Sequence, residues 1–192
     1  MSAEVVENGA EVRAGANESV GRLAAVVRDV RLLLIALWLG GAVFFSGAVA
    51  PSAFAVLRAR GVPYANEAAG SIVTRTLAVV NTSGFVIALL LLLSAFLFRR
   101  SVSRRALLAE TIALALVGVA AGVGQWVIAA RMVQLRAAMG RPIDDVAAND
   151  PLRLTFGAWH GYSVTALAVG VVAAAVALLL IARRDRIKAK RF

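Results

Sequence analysis

Four long apolar segments constrain this chain more than any other feature: residues 32–50, 77–98, 106–130 and 156–182. No lysine or arginine falls inside them, and Glu110 is the single carboxylate they contain. A hydrocarbon core about 30 Å thick needs about 20 apolar residues per helical crossing. The hydrophobic fraction, 60%, exceeds the roughly 45–50% of soluble domains. The fold class that follows is all-α: a polytopic membrane protein whose residues 32–182 form an antiparallel bundle of four transmembrane helices.

The net charge of +10 would suit nucleic acid if the basic residues formed a patch. They sit instead on the flanks of apolar spans, where topology and anionic headgroups account for them. The expected partner of the Arg/Lys flanks is therefore the lipid bilayer, with no nucleic acid. The N-terminal tail, the turn at Arg99–Arg105 and the C-terminal tail hold 14 of the 21 basic residues. That asymmetry predicts a multi-pass protein of the cell membrane with both termini cytoplasmic and His160 near the outer face. Arg28, Arg31 and Ala48-Val49-Ala50 look like a cleavable signal. Pro51 follows at once, however, and the tail before it is acidic, so the segment reads as a retained first span. Cysteine is absent, which excludes disulfides and thiolate metal sites.

Residues 1–19 are polar and without apolar periodicity, and are expected to form a disordered cytoplasmic tail. Val20, Leu23, Val27 and Val30 share one helical face, so residues 20–31 read either as an interfacial helix or as an extension of span one. Residues 183–192 form a basic cytoplasmic tail. Spans one and three run on past their apolar stretches to a glycine and then a proline, Gly61 and Pro63, Gly140 and Pro142, the usual helix stop. An offset of 78 residues relates Leu57 to Leu135 and Arg75 to Arg153, as two duplicated hairpins would produce. The small-residue pairs Gly118/Gly122 and Gly157/Gly161, with Gly40, Gly41, Ala42, Ser46 and Gly47 of span one, mark expected helix contacts. They also offer faces for a homo-oligomer.

Polar groups within the spans are the candidates for function. His160 is the only histidine, and an ionisable group at the edge of hydrocarbon costs free energy unless it is paired or wetted. Ser163 shares its helical face, and Gln125, Asn81 and Trp159 fall at similar depth. Two readings of His160, Ser163, Gln125, Asn81 and Trp159 stand open: a shallow outward-facing binding site, or interhelical hydrogen bonds worth about 0.6 kcal/mol each. Glu110 is expected to snorkel or pair with Arg104 or Arg105. It lies about 22 Å along span three from Gln125, at 1.5 Å per residue, too far to share a proton with His160. Asp144, Asp145 and Asp150 read as a solvated loop, because a calcium loop spaces its carboxylates more regularly around a turn glycine. No nucleotide-binding, hydrolase or metalloprotease motif occurs.

The run Phe156-x-x-Trp159-His160-Gly161-x-Ser163 resembles the signature of the transmembrane-protein-205-like family, whose core is a domain of unknown function, DUF4149. Trp38-Leu39-Gly40-Gly41 through Ala50-Pro51-Ser52-Ala53-Phe54 is similar to that family's opening, and Arg131-Met132-x-x-Leu135-Arg136 to its span-three exit. The resemblance implies a four-helix membrane protein without an assigned activity. The Trp-Leu-Gly-Gly start is distantly similar to copper resistance protein D, whose relatives carry further histidines that this chain lacks. Together these features point to a non-enzymatic membrane protein, without a cofactor, that binds or passes a small ligand at an outward polar site or acts as a scaffold. The alternative is a copper- or haem-handling protein with His160 as ligand and Met132 as the second axial group.

Overall fold

The computed structural model describes the backbone of residues 2–97 and 104–189, and within these the side chains of residues 19, 21–96 and 104–183. The turn carrying Arg99 and Arg100, and the tail residues Lys190 and Arg191, lie outside the described residues. Six α-helices occur among the described residues: α1 (Ser2–Phe44), α2 (Ala50–Ala59), α3 (Ala65–Leu97), α4 (Arg104–Gly122), α5 (Ala130–Met139) and α6 (Pro151–Ala189). A π turn at Phe45–Val49 joins α1 to α2, and another at Val123–Ala129 joins α4 to α5. The described residues thus make four spans, 21–59, 65–96, 104–139 and 151–183, each long and apolar enough to cross a membrane. They are longer than the apolar stretches that announce them, because the helices continue into polar sequence at either end.

Helical backbone begins at Ser2 and continues without a break through residues 20–31. The structure therefore draws a helix where the composition predicts a disordered tail, and residues 20–31 extend span one. Alanine and glutamate in that stretch favour helix locally, a tendency that an argument from polarity and missing apolar periodicity leaves out.

The helix stops follow the sequence. Gly61 and Gly140 adopt left-handed backbone, φ 62° and 63°, which only glycine takes without strain. The Val62 N–H returns to the Leu57 carbonyl at 3.2 Å and Gly140 N–H to Ala137 at 3.2 Å, closing each helix C-terminus. At the start of α6 the Asp150 carboxylate accepts the N–H groups of Leu152 at 2.8 Å and Arg153 at 3.3 Å, with Pro151 in the first helical position.

Neighbouring spans pack in ring order, one on two, two on three, three on four and four on one. The core cluster is built from Ile35, Trp38, Leu91, Leu114 and Val117 with a run of alanines, among them Ala88, Ala113, Ala174 and Ala177. Lipid tails are as apolar as leucine, so close van der Waals fit, which alanine and glycine permit, replaces hydrophobic burial as the source of contact. Large side chains such as Leu89, Leu90, Leu93 and Phe96 are left on the outside.

Trp38 is the wedge of this core. Its Nε1 donates to the Val80 carbonyl of span two at 2.9 Å. A Cβ at Gly84 would come within 2.5 Å of the indole, and one at Gly170 of span four within 3.5 Å. Span three meets span two at Gly118 and Gly122, against Ala88 and Phe85, as the first small-residue pair predicts. The other small residues behave differently. Nothing approaches a Cβ position at Gly40, Gly41, Gly47, Gly157 or Gly161 within 4 Å. Among the described residues the expected helix contacts through these five are absent. Gly40, Gly41, Gly157 and Gly161 lie on exposed faces of spans one and four, and Gly47 borders an open cavity. Ala42 of span one, by contrast, is buried in the core.

The π turns start 78 residues apart, at Phe45 and Val123, the offset already visible in the sequence. In the first, the Ala50 N–H donates five residues back to Phe45. Pro51 follows directly; it lacks an N–H, and its ring crowds the carbonyl four residues earlier, which a locally widened helix relieves. In the second, Gly124 brings the backbone against the Asn81 amide, where a Cβ would stand 3.1 Å from Nδ2.

Candidate functional site

A cavity of about 750 Å³ lies between the spans, from their midpoint towards the end that carries the 60–64 and 140–150 loops. All four spans line it. Towards the midpoint of the spans it is apolar, with half-buried Leu167 and Val171 of span four and, exposed at its margin, Val43 of span one. Polar groups stand nearer the loops: Ser46, Thr74, Gln125, Arg136, His160 and Ser163.

Of the five residues singled out by sequence, three meet here. Gln125, His160 and Ser163 line the same cavity from spans three and four. Ser163 is buried, whereas His160 is exposed and makes no hydrogen bond to any described residue. The Gln125 Oε1 is buried and accepts no hydrogen bond. Asn81 is buried at the second π turn, against Gly124, and does not line the cavity. Trp159 is half-buried, edge-on to Tyr162 with ring centroids 5.7 Å apart, also outside the lining.

Most other polar side chains of the lining already have partners. Ser46 Oγ donates to the Ala42 carbonyl at 2.8 Å and Thr74 Oγ1 to that of Gly70 at 2.7 Å, the local bonds such residues make on helices. Arg136 pairs with Glu67 at 3.1 Å, and its guanidinium lies 5.4 Å above the Phe156 ring. This cluster was not legible in the sequence as a site; only the matching polar residues of the two loops, 78 positions apart, hint at it.

The loop end is tied by reciprocal capping. The Asp144 carboxylate accepts the Asn66 amide at 2.7 Å, the Asn66 N–H at 3.3 Å and the Glu67 N–H at 3.0 Å, so a residue of the second loop caps the N-terminus of α3. Glu67 returns a carboxylate oxygen to the Ile143 N–H at 3.1 Å. Burial raises the Asp144 pKa, but these hydrogen bonds outweigh it and hold the carboxyl below its ordinary value. Asp144 and Asp150 thus serve helix termini. No group of three or more histidine, aspartate or glutamate residues that could hold a metal occurs among the described residues.

At the opposite end of the bundle, Glu110 of span three pairs with Arg31 of span one. Both are buried, and Arg31 also donates to the Leu91 carbonyl of span two at 3.3 Å. The expectation of Arg104 or Arg105 gives way here to a partner on another helix. Spacings of five and six residues do not align side chains on one helix, as three and four do, whereas Arg31 stands where span one passes Glu110.

These features define a multi-pass, all-helical membrane protein with a ligand-sized cavity between its spans and a buried ion pair at the other end. The chain belongs to the family described as a domain of unknown function, DUF4149, which matches residues 33–141. That stretch takes in most of span one, all of spans two and three and the start of the second loop, and ends before span four and His160. No curated protein and no solved structure matches the chain.

Proposed function

We propose that this protein binds a small, mainly apolar ligand in the cavity beside His160, without chemistry of its own, in the cell membrane with both termini cytoplasmic. The observation that carries the reading is the cavity itself. Its volume of about 750 Å³ falls within the roughly 300–1,000 Å³ of small-molecule sites. Its lining has the usual composition of such sites, apolar walls with a few convergent polar groups, here Gln125, His160 and Ser163. The orientation rests on the excess of arginine and lysine at the Glu110 end. Mass spectrometry of the protein released from native membranes should find a co-purifying apolar molecule. Ala168→Trp, which fills the cavity, should remove it without loss of thermal stability. If neither variant carries an adduct, and no apolar compound raises the melting temperature of the unsubstituted protein, the reading fails.

A copper- or haem-handling role is the second reading, and one observation favours it: Met132 and His160 line the same cavity. The donor set argues against it, since copper sites favour several His, Met or Cys ligands and the chain holds one histidine and no cysteine. A Soret band or stoichiometric copper in purified protein, lost in His160→Ala, would establish this role instead.

A further inference from the structure

Spans one and four begin as neighbours and then separate. α1 packs on α6, but beyond the π turn at Phe45–Val49 the chain leaves it: α2 packs on α3 and makes at most marginal contact with α6. The gap so opened is flanked by Ser46, Pro51, His160 and Val164, all of which line the cavity and all of which are exposed. Across the cavity most lining residues of spans two and three, among them Gly70, Leu77, Gln125 and Ala129, are buried or half-buried, and only Thr74 and Val133 are exposed. The loop end is closed differently. Asn66, Arg136 and Ile143 belong to the lining and are also members of the Asp144–Glu67 tie, which bonds the second loop to the start of α3.

We infer that the cavity is reached sideways, from the bilayer, through the gap between spans one and four, and that it takes a single-chain amphiphile whose head donates a hydrogen bond. The inference rests on the reading that the cavity holds a ligand. The head chemistry follows from which polar groups remain unused. Ser46, Thr74, Asn66 and Arg136 are bonded within the protein, whereas Gln125 Oε1 accepts nothing and neither His160 nor the Ser163 hydroxyl bonds to another described residue. An acceptor left unpaired away from water is costly, and a ligand hydroxyl or amide N–H placed at that depth would satisfy it. The chain of the amphiphile then runs along Val43, Leu167 and Val171, a wall with nothing polar to offer. Its length is bounded by a volume suited to one such molecule.

The absence of cysteine makes a direct test available. Single cysteines are placed at Ala168, a lining residue exposed at the gap one turn beyond Val164, at Val79 on the lipid-facing side of span two, and at Ala147 in the second loop. Each variant is reconstituted into liposomes and treated with a bilayer-partitioning maleimide or with a charged, membrane-impermeant thiol reagent. The expected result is that Ala168→Cys reacts with the partitioning reagent, as Val79→Cys does, and escapes the charged one, which labels Ala147→Cys. Adding Val164→Trp at the gap should slow labelling of Ala168→Cys by about tenfold, the effect of about 1.4 kcal/mol on the barrier, and leave Val79→Cys unaffected. Labelling of Ala168→Cys by the charged reagent at the rate of Ala147→Cys overturns lateral access. In the second arm, hexadecanol should protect Ala168→Cys, and its methyl ether, which has no donor, should not; Gln125→Leu should abolish the difference. Equal protection by both overturns the donor requirement. If neither protects while labelling from the bilayer persists, the binding reading fails and the lateral opening stands alone.

Discussion

Asn66 and Asp144 stand 78 residues apart in the chain and are joined by a hydrogen bond of 2.7 Å from amide to carboxylate. The same interval separates the first residues of the two π turns, Phe45 and Val123. The contact ties the two loops together and places a second-loop carboxylate on the N-terminus of α3.

Asp144→Ala removes that cap and should cost about 0.5–2 kcal/mol, the usual range for a lost N-cap. The melting temperature in detergent at neutral pH measures it. The pH dependence has a definite sign. A carboxyl whose folded-state pKa lies below the ordinary 3.8 contributes stability that is present above 3.8 and is lost as pH falls through the lowered value. The difference between the parent and Asp144→Asn should therefore be constant from neutral pH down to about 4 and shrink only below it.

The ion pair of Arg31 and Glu110 predicts a non-additive pattern. Either Arg31→Met or Glu110→Leu removes one member of this buried pair and should destabilise by about 3–5 kcal/mol. The double variant Arg31→Met/Glu110→Leu should recover most of that loss, because apolar side chains of similar volume fill the site without a desolvation cost. A double-mutant cycle on thermal or denaturant unfolding reads the coupling directly. Additive losses would mean that the two charges do not depend on each other.

Glycines that look alike in sequence should respond oppositely to alanine. At Gly84 the new methyl would press on the rigid indole of Trp38 at 2.5 Å, an overpacking that costs about 1–3 kcal/mol. At Gly157 a Cβ has nothing within 4 Å, so in a monomer the substitution should be neutral or slightly stabilising. A clear loss of stability in Gly157→Ala, with a change in oligomeric size by light scattering, would show that this face meets a second copy.

The π turn of span one should tolerate a deletion that the α-helix beside it does not. A π turn holds one more residue than the α-helical path it replaces. Removing Gly47 should therefore keep α2 in register on α3, while deleting Ala36 would rotate everything beyond it by about 100°, one residue's share of a turn. Yield and monodispersity after detergent extraction compare the two. The Gly47 deletion should also straighten span one, and with it reduce labelling of Ala168→Cys from the bilayer.

How much could be read beforehand depended on what the bilayer leaves visible. The four spans, the stops at Gly61 and Gly140 and the 78-residue offset are local signals, carried by apolar length and by residues with special backbone freedom. Gln125, His160 and Ser163 were legible as a group because polar side chains are conspicuous against hydrocarbon. Asn81 and Trp159 were drawn in on depth alone, and depth does not say which way a side chain faces.

That direction is what the sequence by itself left undetermined. In water, a helix records its buried face as an apolar stripe. In lipid both faces are apolar, so Leu91 inside and Leu90 outside look the same along the chain. Only the packing of one helix on another decided that Trp38 would fill the space at Gly84, that Arg31 rather than a nearer arginine would meet Glu110, and that spans one and four would part beyond Phe45. The number, length and limits of the helices were written locally in the residues. Their facing, and the cavity that results from it, arose from van der Waals fit and from the pairing of the few polar groups that hydrocarbon cannot solvate.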